Sequence, residues 1–137
     1  MKIVNRRNFF NKSTKFLASL GLITISAPLM ANSGIDEKIF IHHVFFWLKD
    51  AQNTEVRKKF EDALHELVTI ETIRTKHIGT PASTRRGVVE STYTYSLMLT
   101  FKDKVDHDSY QSHPVHDKFR TYKDLWSKLV IYDSVDI

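Results

Sequence analysis

Residues 110–116 read Tyr110-Gln111-Ser112-His113-Pro114-Val115-His116, a string that sets a phenol and two imidazoles around one proline. Proline is tolerated in the first turn of a helix, where its missing N–H would be unpaired in any case. The sequence therefore predicts a helix that begins at Pro114 and continues as far as Leu129. His116 then lies in the first turn, near the positive end of the helix dipole, which disfavours an imidazolium. We expect a neutral His116 near pH 7, with Tyr110 beside it as a hydrogen-bonding partner.

The same segment also has a purely structural interpretation. His113 can cap the helix, and Tyr110 can be half buried with its hydroxyl at the rim of the core. In the functional interpretation, His116 is a base and Tyr110 is its partner. One local motif does not decide between the two.

Composition bounds the class of protein. The chain has 137 residues, which favours a single domain, and it contains no cysteine, which excludes disulfides, thiolate chemistry and cysteine-ligated zinc. Five basic residues and no acidic residue precede residue 32: Lys2, Arg6, Arg7, Lys12 and Lys15. Subtracting these five from the formal charge of +4 leaves residues 32–137 at −1. The excess of basic residues lies in residues 1–31, which we call the leader. We therefore expect no nucleic-acid partner for the rest of the chain.

The leader has the features of an export signal. Asn5-Arg6-Arg7-Asn8-Phe9-Phe10 resembles the twin-arginine motif, and the apolar run over residues 16–25 is shorter than the roughly 20 residues of a membrane span. Small side chains at Ala31 and Ser33 suit cleavage after Ser33, with Ala31 as the second choice. The alternative is an uncleaved anchor helix, in which case the leader is the membrane contact. We predict export, to the bacterial periplasm, with a signal peptide over residues 1–33, a linker over 34–38 and one domain over 39–137.

The domain opens with a run that is almost entirely apolar or aromatic, residues 39–48, which is typical of a strand buried on both faces. Period two places His42 and His43 on opposite faces, and this strand alone does not show which of them faces a cavity. An amphipathic helix follows over residues 56–68, with Asn53 or Thr54 as its N-cap.

Three more strands are predicted, over residues 73–78, 92–101 and 130–135. The order is β-α-β-β-α-β, a ferredoxin-like α+β fold with a four-stranded antiparallel sheet and its helices on one face. Strand residues on the uncovered face include large apolar side chains, and a soluble monomer rarely exposes such a patch. The sequence therefore predicts a homodimer in which two sheets face each other and close into a barrel.

Four segments together resemble the stress-responsive dimeric α/β-barrel (Dabb) family: residues 42–50, 93–101, 110–116 and 130–133. The resemblance spans about residues 39–135. The string Tyr-x-x-His-Pro-x-His, followed by an apolar strand that ends in Asp, is fairly specific to this family. Membership implies a dimeric α/β barrel with a pocket between each sheet and its helices.

The best-defined enzyme type of the family is the plant polyketide cyclase, which closes a linear polyketide by aldol chemistry. The resemblance implies that His116 acts as base, that Tyr110 assists it, and that His42 is the first-strand histidine of the pocket. The other implied binding residues are His113, Tyr95, Leu97, Trp126, Leu129 and Ile131. Two positions depart from the cyclase pattern, because Leu64 stands in place of a pocket tyrosine and Tyr95 in place of a third-strand histidine.

Two functions agree with these observations. The first is an exported, stress-linked homodimer that binds a small apolar or carbonyl-containing ligand, with no assigned catalysis. The alternative is a small-molecule lyase or cyclase, in which His116 abstracts a proton alpha to a carbonyl and Tyr110 hydrogen bonds the developing enolate. An open pocket bounded by His42, Tyr110 and His116 would favour the enzyme. No metal or cofactor is expected, because His113 and His116 supply at most two ligands and no carboxylate has a diagnostic spacing with them.

Overall fold

A computed structural model of the chain describes residues 38–84 and 86–137. The predicted signal peptide, its cleavage site and all of the linker but Lys38 lie outside these residues. The elements in chain order are β1 (Phe40–Leu48), α1 (Thr54–Leu67), β2 (Thr75–Gly79), β3 (Tyr95–Phe101), α2 (Lys104–Gln111), α3 (Pro114–Arg120), a 3₁₀ turn (Lys123–Leu125) and β4 (Trp126–Val135). The four strands form one antiparallel sheet in the order β2-β3-β1-β4. The ferredoxin-like α+β fold predicted from the sequence is thereby confirmed.

Strand β1 lies at the centre of the sheet because it pairs with β3 on one side and β4 on the other. Its burial alternates residue by residue, as period two requires. One face buries Phe40, His42, Val44, Phe46 and Leu48. This is the face that the helices cover, and it continues into the buried side chains of β3 and α1: Leu97, Leu99, Phe101, Phe60, Ala63, Leu64 and Leu67.

Helix α1 begins where its capping chemistry predicts. The Asn53 side chain accepts hydrogen bonds from the backbone N–H groups of Glu55 and Val56, at 3.0 and 3.2 Å. Of the two N-caps considered, Asn53 is therefore the one used. This cap fixes the start of the helix whose apolar stripe covers the sheet.

The helix predicted from Pro114 to Leu129 starts correctly but is too long. Helix α3 ends at Arg120, where the N–H groups of Thr121 and Tyr122 bond carbonyls three residues back and so tighten the last turn. Strand β4 then starts at Trp126 and pairs with the whole length of β1. The apolar spacing favours a helix, but pairing with the edge of β1 outweighs it. Trp126 and Leu129 still line the same cavity because the β1–β4 register shifts by one residue near Trp47. Strand β4 thus begins four residues earlier than predicted, whereas β2 and β3 begin two and three residues later than predicted.

The sheet face away from the helices is aromatic. Phe45 contacts the rings of Tyr93 and Tyr132, at centroid distances of 5.0 and 6.1 Å, and the His43 ring at 4.3 Å. Tyr132 is 64% exposed. We call this surface, with Trp47, the aromatic face. In the part of the chain that is described, no helix combines the length and hydropathy needed to cross a bilayer.

Candidate functional site

The corner between α2 and α3 positions residues 110–116, which contain Tyr110, His113 and His116. Asp103 caps α2 through bonds from the N–H groups of Val105 and Asp106. His113 caps α3, because its Nδ1 accepts from the Val115 N–H at 3.2 Å. Two capped helices that meet within three residues hold Tyr110, at the end of one, against His116, in the first turn of the other.

A cavity of about 190 Å³ lies between this corner and the covered face of the sheet. Most of its wall is apolar: Val44, Phe46, Leu67, Leu97, Phe119, Trp126, Leu129 and Ile131. The polar side chains of the wall are His42, Tyr110, Gln111, His116 and Arg120. Leu129 and Ile131 are 41% and 46% exposed, so the cavity reaches solvent along β4. An apolar cleft with a few convergent polar groups is the usual form of a small-molecule site.

Tyr110 and His116 contact each other through their rings. The centroids are 4.7 Å apart in an edge-to-face arrangement, and the predicted hydrogen bond between them is not formed. His116 Nδ1 is buried without a hydrogen-bond partner. No group within residues 38–84 and 86–137 hydrogen bonds the Tyr110 hydroxyl either. Both side chains line the cavity, so a ligand there can supply hydrogen bonds that they lack.

Burial keeps both groups in their neutral forms. Burial, with a smaller contribution from the nearby Arg120 guanidinium, lowers the pKa of His116 to about 4. The neutral state expected from the sequence is therefore found, but desolvation rather than the helix dipole is its main cause. Burial also raises the pKa of Tyr110, so that phenol remains a hydrogen-bond donor at neutral pH.

His42, rather than His43, faces the cavity. It stands directly opposite Asp133 in the β1–β4 pairing, and its Nδ1 lies 2.6 Å from Asp133 Oδ1. A carboxylate can only accept, so Nδ1 carries the proton and Nε2 retains a lone pair. Burial lowers the pKa of His42, and the Asp133 carboxylate opposes that shift. Asp133 was not among the predicted site residues, although the strand register that pairs it with His42 was the signal that could have identified it.

The structure brings most of the other predicted residues to the cavity but not Tyr95 or His113. Tyr95 is buried beneath α1, where its hydroxyl donates to Glu61 and the Arg57 guanidinium lies 5.0 Å from its ring centroid. Burial raises the pKa of Tyr95 to about 12. His113 serves as a helix cap, as the structural interpretation proposed.

Two cavity residues were not anticipated, Gln111 and Arg120. Arg120 donates to Asp117 at 2.6 Å and to both the backbone oxygen and side-chain oxygen of Gln111. This network ties the end of α2 to α3 and places a cation at the rim of the cavity. No local sequence signal marks either residue, because both stand at ordinary positions of short helices.

Comparison with known proteins gives a family profile and a set of similar folds. Residues 40–136 match a profile described as the stress responsive A/B barrel domain. The chain matches a Dabb family protein with a ferredoxin-like fold from Mesorhizobium loti, with 22% identity, a TM-score of 0.62, and coverage of 73% of this chain and 98% of that one. Curated protein sequences give no match.

Two further solved structures have a similar fold. One is a dimeric ferredoxin-like protein of unknown function from Thermobifida fusca, at 16% identity and a TM-score of 0.61, covering 77% of this chain and 97% of that one. The other is the hydroxynitrile lyase from Passiflora edulis, at 17% identity and a TM-score of 0.62, covering 74% of this chain and 95% of that one.

Proposed function

The chain belongs to the stress responsive A/B barrel domain family, and from that premise we propose that it is a homodimeric small-molecule lyase or cyclase. Each protomer binds a carbonyl compound with an apolar body in its cavity. His116 takes a proton alpha to the carbonyl, and Tyr110 hydrogen bonds the enolate oxygen. The observation that carries this proposal is that His116 and Tyr110, whose side chains hydrogen bond no described residue, line one solvent-accessible apolar cavity.

The proposed reaction uses groups already in suitable protonation states. With the proton of His116 on the enclosed Nδ1, Nε2 accepts the alpha proton, and the C–H electron pair forms the C=C bond of the enolate. The negative oxygen accepts a hydrogen bond from the neutral Tyr110 phenol, which stabilises it if the two oxygens lie within about 3 Å. His42 Nε2, with Asp133 fixing its tautomer, is an additional acceptor at the same wall.

A dimer is part of the proposal because the aromatic face exposes large apolar side chains to solvent in a single protomer. Residues such as Tyr132 are well exposed in the protomer, and a contiguous apolar patch of this kind usually marks an interface. Several proteins with this fold are dimeric. We propose that the aromatic faces of two copies pack together and close the barrel.

One observation favours a second candidate, a dimer that binds a ligand without transforming it. A base whose conjugate acid has a pKa of about 4 has a weak driving force for proton abstraction from carbon, since the best catalytic pKa lies near the working pH. Binding alone requires only the cavity and its unpaired donors. The two candidates share the ligand class and differ in turnover.

The shared ligand class can be tested with acetophenone, which joins a benzene ring to a carbonyl. An apolar cavity of about 150 Å³ is enough for benzene in another protein, so about 190 Å³ suits a slightly larger molecule. The chain has two tryptophans, and only Trp126 lines the cavity. In a Trp47→Phe background, we expect acetophenone to quench Trp126 fluorescence saturably.

The matched variant is Ile131→Phe, which fills the mouth of the cavity at a position that is 46% exposed. It should weaken saturable quenching at least about tenfold while leaving the thermal melting temperature close to that of the parent. Quenching that never saturates, or that Ile131→Phe leaves intact, would contradict a ligand site in this cavity.

We also propose export through the signal over residues 1–33. The support is the arginine pair, the short apolar run and the small residues at Ala31 and Ser33. Mass spectrometry of the protein from its native host should find a mature chain that begins at Gly34, or at Asn32. A paired Arg6→Lys and Arg7→Lys variant keeps the charge but alters the motif, and it should accumulate uncleaved. A wild-type chain of full length inside the cell would exclude this route.

A further inference from the structure

Three side chains from distant parts of the sequence converge around His42, one of the residues that line the cavity. His42 on β1, His107 on α2 and Asp133 on β4 each place one nitrogen or oxygen within 4.8 Å of the other two. We propose that these residues form a binding site for a borderline divalent metal ion of the Zn²⁺ and Co²⁺ type. The proposal does not depend on the function above, because metal binding is measured without any substrate.

The donor set selects this class of metal. Two imidazole nitrogens and one carboxylate oxygen suit Zn²⁺, Co²⁺, Ni²⁺ or Fe²⁺, whereas Mg²⁺ and Ca²⁺ prefer oxygen ligands alone. Zinc bonds of about 2.0–2.2 Å place tetrahedral ligand atoms about 3.3 Å apart. Atoms already within 4.8 Å of one another therefore need to move by less than about 1.5 Å.

His107 is the residue whose surroundings point to a missing partner. Its side chain lies in the core and is only 8% exposed, yet its Nδ1 is buried without a hydrogen-bond partner. Buried polar atoms are normally paired, and an unpaired one in a native fold requires an explanation. A metal ion bound by that nitrogen supplies one.

The surroundings of His107 also provide what a metal-binding histidine needs beyond the metal. Gln111 Nε2 lies 3.1 Å from His107 Nε2, and Asp108 Oδ1 lies 3.6 Å from Nδ1. A metal on Nε2 leaves the Nδ1–H 3.6 Å from the Asp108 carboxylate, the kind of acceptor that a histidine ligand usually has. A metal on Nδ1 leaves the proton on Nε2, and the Gln111 amide then has to turn its oxygen towards that N–H. Phe40 stacks on the ring at 4.4 Å and Phe101 meets it edge-on at 5.3 Å, so packing already holds the ring in place.

The other two ligands differ in mobility, which favours metal entry. His42 is 3% exposed, whereas the Asp133 side chain is 44% exposed on an edge strand. Asp133 can therefore open its 2.6 Å hydrogen bond to His42 and admit the ion from solvent. Three protein ligands leave a coordination position free, as in catalytic zinc sites. The wide separation of residues 42, 107 and 133 explains why no spacing motif reveals the site.

Cobalt is the probe for the test, because Co²⁺ bound to nitrogen and oxygen ligands absorbs visible light. The full chain, purified without a histidine tag and treated with EDTA, should develop an absorption that saturates at one Co²⁺ per chain, and Zn²⁺ should abolish it. His107→Phe keeps the ring packing, and Asp133→Asn keeps the shape. Each should weaken Co²⁺ binding at least about 100-fold, because losing only an outer partner costs about 10–100-fold.

His65→Ala is the matched control, since His65 is exposed on α1 and lies outside the cluster; it should bind Co²⁺ as the wild type does. If His107→Phe does not fold, Asp133→Asn at the exposed edge decides the question alone. The proposal is overturned if folded wild-type protein shows no saturable absorption. It is also overturned if Asp133→Asn binds as tightly as wild type, or if His65→Ala weakens binding as much as the cluster variants do.

Discussion

Tyr132→Asp should convert the proposed homodimer into folded monomers. The residue is 64% exposed in the protomer, and its ring joins the aromatic face through Phe45. In a face-to-face dimer, each copy would bury one new carboxylate without a partner, and an uncompensated buried charge costs several kcal/mol. We therefore expect the dimer Kd to rise by at least about 100-fold, measured by sedimentation velocity, with the far-UV circular dichroism unchanged.

Two further variants make that result specific. Phe46 is next to Phe45 in sequence but lies on the covered face, where it is 2% exposed. Phe46→Asp should therefore lower the free energy of unfolding of the protomer by more than about 4 kcal/mol. Val105→Asp replaces an apolar residue that is 71% exposed in the first turn of α2, where an acid is favourable, so the dimer should persist. A wild-type protein that sediments as a monomer at micromolar concentration, or a Tyr132→Asp protein that stays dimeric, would contradict the proposed interface.

Period two in β1 explains why the fold could be predicted from the sequence. A one-residue shift would move Val44 and Phe46 to the other face, so the alternation fixes which side chains form the core. Asn53 and Pro114 similarly mark helix starts through local chemistry that operates within a few residues. These features need no knowledge of distant contacts, and each was placed correctly.

The end of α3 could not be predicted in the same way. Leu125, Trp126 and Leu129 fit a helical stripe, and only the free edge of β1 decides that they leave the helix. That edge pairs with β4 across the sheet, and the Trp126 ring stacks on Phe119 at 5.9 Å. Strand pairing between residues some 80 positions apart is a tertiary effect, and local propensity does not contain it.

The residues of the candidate site show the same difference between local signals and tertiary effects. His116, Tyr110 and four residues of the apolar wall followed from one local string and a family resemblance: Leu97, Trp126, Leu129 and Ile131. Asp133 and His107 come close to His42 through the pairing of β4 with β1 and the packing of α2 on β1. Tyr95 was predicted to line the pocket but does not, because its hydroxyl donates to Glu61 beneath α1. Alignment gives a position along a strand, but the neighbouring helix decides what that position contacts.

His116→Ala should abolish turnover if the proposed reaction is correct. A usable measure is deuterium exchange at the methyl group of acetophenone in D₂O, followed by NMR, because exchange requires that a base remove the alpha proton. We expect the protein-catalysed rate to fall by about 10²–10⁴-fold, the usual contribution of an acid–base group. Tyr110→Phe should also lower the rate by removing the donor to the enolate, whereas His65→Ala, on the far side of α1, should not change it.

A pH series of unfolding free energies identifies the state of His116 without a substrate. Its pKa is about 4 in the fold, against 6.5 for an unperturbed imidazole, so between these values the unfolded chain binds a proton that the folded chain does not. The free energy of unfolding should therefore fall as the pH drops from about 6.5 to about 4, by up to about 3 kcal/mol. In His116→Ala this contribution disappears and the profile is correspondingly flatter. A variant that loses stability equally at pH 8 and pH 5, with its acetophenone exchange rate unchanged, would assign His116 to packing and leave the cavity as a binding site.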